Sequence, residues 1–275
     1  MADYSRLATE SRNSATENID KMSSVEIVKI INDEDKTVAY AVEKTLPQIA
    51  DGIDAIAFAL KSGGRLFYCG AGTSGRLGVL DASECVPTFG VNEDTVVGLM
   101  AGGVEALYAS REENEDDFES VAKMMKERDF CFKDVLVAIS ASGSANCVKG
   151  AIAYAKETGS KTICVTCNPN SDLIPLCDIA ICAEVGPEVI SGSTRMKAGT
   201  AQKMILNMLS TGAMIKFGRT RGNQMAYMIP SNIKLVDRAI RMIVDRTGCT
   251  RERAEKELAA HGNRIYEAID AIEKE

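Results

Sequence analysis

At 275 residues and a net charge of −7, the chain is long enough to bury a sizeable core, as one large domain or two small ones. Its acidic balance excludes a surface built to bind nucleic acid or anionic lipid. No apolar run reaches the ~20 residues needed to span a bilayer, so no membrane partner is expected.

Residues 1–20 are polar, lack a clear period and read as an arm. Residues 24–31 have helical spacing behind serine caps. Asn32-Asp-Glu-Asp35 then restarts a longer helical pattern through Val38, Val42, Leu46, Ile49, Ile53, Ile56 and Leu60, which Gly63-Gly64 stops. Beyond it the period shortens. Residues 65–69, 95–100, 134–139, 161–165 and 178–182 are short apolar runs bounded by turn residues. Helical stretches near 115–128 and 145–158 separate some of them. The pattern predicts an α/β fold, a doubly wound parallel sheet with both faces covered. Residues 198–217 predict a long, nearly all-apolar buried helix, and 231–246 and 250–259 amphipathic ones, the last with a capped start. The chain thus divides into an N-terminal arm with helices (1–62), the α/β domain (63–220) and a C-terminal helical region (221–275).

Nine cysteines lie scattered through apolar segments, with no signal peptide in front, which fits reduced core thiols in the cytoplasm. Cys164-Val-Thr-Cys167 is the one C-x-x-C. It falls at a strand exit without a second ligand pair, so a core role is expected there rather than zinc or redox chemistry.

Three small-residue loops are candidates for binding. Gly70-Ala-Gly-Thr-Ser-Gly75 follows the first predicted strand. Gly72 lets backbone approach an anion, and Thr73 and Ser74 add hydroxyl donors. The loop lacks the Gly-Lys-Ser/Thr of a Walker A motif and the G-x-G-x-x-G spacing of a dinucleotide site. In Ser140-Ala-Ser-Gly-Ser144, residues Ser140, Ser142, Gly143 and Ser144 set hydroxyls and N–H groups at a helix start. That suits a phosphate monoester, and it equally suits a turn that only caps the helix. The third loop, Ser191-Gly-Ser-Thr-Arg-Met-Lys197, opens the long apolar helix. Ser193, Arg195 and Lys197 either meet an anionic substrate or serve as a cap with a solvated basic pair. Two such loops at neighbouring strand ends favour a phosphosugar. Glu84 sits in the mostly apolar Asp81-Ala-Ser-Glu-Cys-Val-Pro87, where burial and a raised pKa would suit a general acid or base. Glu112, Glu113, Glu115, Asp116 and Asp117 follow Ala101-Gly-Gly103, and most of these read as partners of a helix dipole.

The segment Gly70-Ala-Gly-Thr-Ser-Gly-Arg-Leu-Gly-Val-Leu-Asp-Ala-Ser-Glu-Cys85 resembles the signature of N-acetylmuramic acid 6-phosphate etherases. Thr9-Glu-Ser-Arg-Asn13, Ile31-Asn-Asp-Glu-Asp-Lys-Thr-Val38, Ser191-Gly-Ser-Thr-Arg-Met-Lys-Ala-Gly-Thr-Ala-Gln-Lys203 and Leu206-Asn-Met-Leu-Ser-Thr-Gly212 are similar too. The resemblance implies a sugar isomerase (SIS) domain, a three-layer αβα sandwich. It implies a cytoplasmic carbon–oxygen lyase that needs no metal or cofactor and works in recycling of cell-wall muramic acid. The implied substrate is N-acetylmuramic acid 6-phosphate and the products N-acetylglucosamine 6-phosphate and D-lactate. The family is usually homodimeric, with sites near the subunit boundary. Its catalytic acid falls on Glu84. Its second glutamate, aligned from Ala101-Gly-Gly103, falls on Glu115.

The chain also departs from the family pattern. Its second loop continues as Ser142-Gly-Ser-Ala-Asn146 where the family usually has Ser-Gly-Arg-Thr-Pro, and the missing Arg and Thr would weaken phosphate or lactate binding. It stops at Glu275, short of the family's usual tail, and His261-Gly-Asn-Arg264 differs from the pattern. His261, the sole histidine, is expected at the surface or cap of a terminal helix. Two rival readings stand beside the etherase. One is a non-catalytic sugar-phosphate-binding regulator of the glucokinase regulatory protein type. The other is an aldose–ketose phosphosugar isomerase. Retention of both Glu84 and Glu115 favours an enzyme.

Overall fold

A computed structural model describes residues 9, 11–230 and 232–274. Residues 1–8 and Glu10 of the expected arm, and Ser231 at the expected start of a helix, lie outside the described residues. The described part of the arm forms two short 3₁₀ turns, Ser14–Thr16 and Ile19–Lys21.

All five apolar runs are strands of one parallel sheet: β1 (Leu66–Gly70), β2 (Val96–Met100), β3 (Val135–Ile139), β4 (Lys161–Thr166) and β5 (Ile179–Cys182). Their order is β2-β1-β3-β4-β5. Every residue of β1 and β3 is buried, which is why both read as unbroken apolar runs rather than as alternation. Successive side chains feed opposite cores. Leu66, Tyr68 and Val137 join one apolar cluster, Phe67, Cys69 and Leu136 the other. The chain reverses its winding direction between β1 and β3. In such sheets the crevice for a ligand opens beyond the carboxyl ends of those two strands.

Helices α1 (Ser24–Glu43), α2 (Leu46–Lys61), α3 (Gly72–Phe89) and α7 (Lys197–Lys216) cover the first face, with Val42, Ile56, Cys85 and Leu206 buried against it. Between them in the chain come α4 (Glu105–Tyr108), α5 (Ser120–Glu127) and α6 (Asn146–Glu157). Val121, Met125 and Ile152 from α5 and α6 cover the second face. The last three helices, α8 (Ile233–Thr247), α9 (Arg251–Ala260) and α10 (Ile265–Glu273), share a third apolar cluster around Ile243, Leu258 and Ile269.

Three boundaries differ from the sequence expectation. The break in the first helical stretch lies at Lys44-Thr45 and not at Asn32. Ser23 and Glu26 close a capping box, and α1 runs on through the acidic segment. Pro47 lacks an N–H and fits a first helical turn, so the second helix starts there. Second, Gly72–Gly75 is not a free loop but the first turn of α3. Third, α5 begins at Ser120 and not at Glu115. Residues Glu112–Glu115 form a 3₁₀ turn, and the Asp117 carboxylate takes the Glu119 N–H at 3.1 Å.

A buried carboxylate joins three of these elements. Asp81 on α3 accepts from the Tyr68 hydroxyl of β1 (2.9 Å) and from Asn207 Nδ2 (2.6 Å) and Ser210 Oγ (3.2 Å) of α7. Burial, and then the charge of Asp81, push the Tyr68 hydroxyl well above its ordinary pKa, which keeps it a donor. All three partners donate, so the acceptor-only carboxylate suits the position. We predict that Asp81→Asn, which sets an amide donor among donors, destabilises the fold by about 1–3 kcal/mol. Urea unfolding measures this, and an unchanged midpoint would contradict the role given to Asp81.

Candidate active site

Helix α3 starts two residues after β1 ends, with Ala71 as the only hinge. The turn can be that tight because Gly75 has no Cβ, which would collide with the Gly70 carbonyl and the Met100 sulfur. Gly72 has φ +54°, the left-handed region that favours glycine. The first turn of a helix leaves its N–H groups without intrahelical acceptors, and they carry the positive end of the helix dipole. Gly72, Thr73 and Ser74 therefore present donors at the sheet's crevice.

A cavity of about 100 Å³ opens there. Gly72, Thr73 and Ser74 line one side, and Ser140 and Ser142 after β3 the other. Glu115 and Thr194 complete it. A larger groove, about 600 Å³, lies at the amino ends of β3 to β5 between Phe58 and Phe132. It is mainly apolar and sits at the end of the sheet opposite the crevice. The smaller cavity, where polar groups converge, is the candidate site.

The serine loop is shaped from within. Gly143 N–H donates to Ser140 Oγ (3.1 Å) and Ser144 N–H to Ser142 Oγ (3.3 Å), while the hydroxyls of Ser142 and Ser144 lie 2.8 Å apart. Asn168 Nδ2 ties the loop down through the Ser142 carbonyl at 3.1 Å. Gly143 has φ +77°, and a Cβ there would strike Ser171. Ser140 and Ser142 face the cavity. Gly143 and Ser144 hold the loop and are not among its lining residues.

The third loop behaves differently from the expectation. Thr194 lines the cavity, but Ser193, Arg195 and Lys197 do not. Ser193 N–H bonds the Ile190 carbonyl, and Arg195 is exposed. Lys197 is 2% exposed, and its ammonium bonds the carboxylate of Glu34 on α1. A buried cation needs a counter-charge, and Glu34 supplies it. The N–H groups of Lys197 and Ala198 are taken by the buried carboxylate of Glu188, at 2.9 Å each. The start of α7 is thereby neutralised within the protein.

The two glutamates are not brought together in one chain. Glu115 borders the cavity at the end of its 3₁₀ turn. Arg76 on α3 fastens the segment before it, donating to the carbonyls of Ala106 (2.7 Å), Leu107 (3.1 Å) and Ala109 (3.3 Å). Glu84 is exposed on the outer side of α3, contrary to the burial expected from its apolar neighbours. The helix buries Ser74, Gly78, Asp81 and Cys85. One residue before Cys85 turns away by about 100°, beside the exposed Leu80, Ser83 and Pro87. His261 is the C-cap of α9, 3.7 Å from both Glu257 and Glu267, in keeping with the terminal cap expected. Sequence reasoning passed over Thr194, Arg76, Glu34, Glu188 and Gln202. All but Glu188 lie in segments that resemble the family, yet their roles depend on residues distant along the chain, which no local spacing marks.

Residues 48–156 match the family described as glucokinase regulatory protein N-terminal SIS domain, and residues 108–212 the SIS domain family. Over 267 residues the chain is 52% identical to an N-acetylmuramic acid 6-phosphate etherase of Photobacterium profundum, spanning 97% of this chain and 89% of that protein. It is 54% identical over 251 residues to one of Clostridium botulinum, 91% of this chain and 83% of the other. The chain belongs to the N-acetylmuramic acid 6-phosphate etherase family. Its fold is also that of phosphoheptose isomerases. The one from Francisella tularensis aligns with TM-score 0.54 and 17% identity over 70% of this chain and 100% of that one. The one from Neisseria gonorrhoeae aligns with TM-score 0.53 and 16% identity over 70% and 98%.

In this etherase-family chain the Glu34–Lys197 pair predicts acid sensitivity. Burial raises the Glu34 carboxyl, but hydrogen bonds from Lys197 and Asn13 and the Lys197 charge outweigh it and hold the group below its ordinary value of 4.5. The stability it contributes is complete above that unfolded value and is lost as pH falls through the lower folded value. Glu34→Gln is expected to remove this share of the acid dependence. Urea midpoints of the two proteins should differ most near neutral pH and converge as the pH falls through the lowered value of the folded state. A constant gap at every pH would rule the pair out as its source.

Proposed function

We propose that this chain cleaves the D-lactyl ether of N-acetylmuramic acid 6-phosphate by elimination and hydration, giving N-acetylglucosamine 6-phosphate and D-lactate. The observation that carries the reading is the 52% identity to a protein of that activity along 97% of the chain. The geometry supports it. Hydroxyls, helix-start N–H groups and a carboxyl group converge on one small cavity at the switch point of the sheet. Gly72, Thr73, Ser74, Ser140 and Ser142 hold the phosphate in this reading, with Gly143 and Ser144 setting the loop. Lys197 acts at a distance by locking α7 to α1.

Ring opening exposes an aldehyde at C1, which acidifies the hydrogen on C2. The lactyl ether on C3 is β to that carbonyl. A base takes the C2 proton, the electrons left behind form the C2–C3 double bond, and lactate departs from C3 with the C–O pair and a proton from an acid. Water then adds at C3, and C2 regains a proton. One carboxyl group must begin ionised and the other neutral. We assign Glu84 as the acid for departing lactate and Glu115 as the base or water activator.

The functional unit of this reading is a homodimer. Glu84 stands ten residues after Ser74 on α3, about 15 Å along the axis, which is longer than the sugar that would hang from the bound phosphate. The acid then reaches each cavity from the second copy, through the face where Leu80 and Pro87 flank Glu84. The cavity is also too small for a whole amino sugar and its ether, so a second chain would complete its walls. We treat residues 221–275, with their own apolar cluster, as a region apart from the sheet domain of 63–220. Nine unpaired thiols suit a reducing compartment, and we place the protein in the cytoplasm. Among the described residues no helix is long and apolar enough to cross a membrane.

Purified protein should free D-lactate from N-acetylmuramic acid 6-phosphate, and an isomerase or a sensor would free none. Glu84→Gln and Glu115→Gln should each slow release by about 10²–10⁴-fold. Unfolding and refolding the two variants together should restore part of the activity, since mixed dimers hold one site with both carboxyl groups. No lactate from the unaltered protein would refute the activity. Mixed dimers without recovery would refute the shared site.

A further inference from the structure

The first turn of α3 rests on α7. Gly199 lies under Thr73, so close that a Cβ there would meet Thr73 Cγ2 at 3.4 Å. Gln202, the next residue on that face, meets Ser74. Its Oε1 accepts the Ser74 hydroxyl proton at 3.0 Å. Gln202 is 1% exposed, and its Nε2 is buried with no hydrogen-bond partner among the described residues.

This arrangement conflicts with a Ser74 that serves an anion. A serine hydroxyl has one proton. Given to Gln202, it leaves only lone pairs to face the cavity, and lone pairs repel phosphate oxygens. Gln202 meanwhile keeps two N–H protons with no acceptor, which is costly inside a protein. One rotation of the amide about its last torsion removes the first conflict and eases the second, since one of the two N–H protons gains an acceptor. Nε2 then donates to Ser74 Oγ, and the hydroxyl proton is released toward the cavity. The amide and hydroxyl dipoles then line up and strengthen one another.

We propose that Gln202 is a positioning residue of the anion site. It directs the Ser74 proton, accepting it in one amide orientation and releasing it to a bound phosphate monoester in the other. No covalent bond changes. The inference rests on the reading of the cavity as the phosphate site, and it adds a component that touches no substrate. A filler between α3 and α7 would need neither polar atom of the amide.

The test is a double-mutant cycle on the full chain, with calorimetric titration of inorganic phosphate. Gln202→Met keeps length and volume while removing donor and acceptor. Gln202→Leu serves as a second variant if Met perturbs folding, and thermal midpoints monitor both. Ser74→Ala and Gln202→Met should each weaken phosphate roughly 3- to 10-fold. The double variant should be no weaker than Ser74→Ala alone, because Gln202 works only through that hydroxyl. With the sugar substrate the Gln202 variants should raise KM and leave kcat in place, the sign of uniform binding lost. Equal losses from Gln202→Met in both backgrounds, or no loss at all, would overturn the relay and leave the phosphate reading standing. Unchanged phosphate affinity in Ser74→Ala would overturn the phosphate reading and the relay together.

Discussion

The site depends on α3 beginning almost where β1 stops. Gly70 and Gly75 let the helix start press onto the strand end, and the first-turn N–H groups reach the crevice as a result. A protein with net charge −7 does not attract an anion through its overall field. In the proposed reading it does so locally, with oriented N–H groups and hydroxyls that need no cation of their own. Such donors work only when held still, so the elements behind the turn matter as much as those in front of it.

Helix α7 supplies that backing, and its own charges are settled before it does so. Glu188 caps its first N–H groups, and Glu34 receives the Lys197 ammonium across 163 residues of sequence. The Asn-Asp-Glu-Asp segment of α1 and the Arg-Met-Lys segment of α7 resemble the family as separate motifs. In the fold they are one contact. Its role is to seat α7, whose face then carries Gly199 under Thr73 and Gln202 against Ser74. Asp81 does the same on the other side, binding α7 and β1 to the middle of α3.

The sheet is legible in the sequence because buried parallel strands have nothing but apolar side chains to show, as 135–139 does. Where two physical signals compete, sequence and structure part. Gly-Ala-Gly-Thr-Ser-Gly has a loop's composition, yet its last four residues form a helical turn, because the glycines serve close packing against β1 rather than flexibility. Asp-Glu-Asp has the composition of a helix start, yet it lies mid-helix, behind the Ser23–Glu26 capping box, where Glu34 meets Lys197. Lys197 reads as a cation for substrate, since sequence alone does not show which carboxylate a lysine meets. Glu84 reads as buried from its neighbours in sequence, whereas helical rotation turns it away from the side that Cys85 buries.

That exposed position also bears on how an elimination is divided between two carboxyl groups. Glu115 stands beside the cavity at the end of a turn, and Arg76 anchors the segment before that turn within the same chain. Glu84 stands on a surface that one chain leaves in water. In the proposed dimer a second chain covers it, which gives it surroundings unlike those of Glu115. The base then belongs to the fold of one chain and the acid to the meeting of two. Such a division keeps the groups in different surroundings without placing both in one small cavity, where like charges would oppose each other and the phosphate.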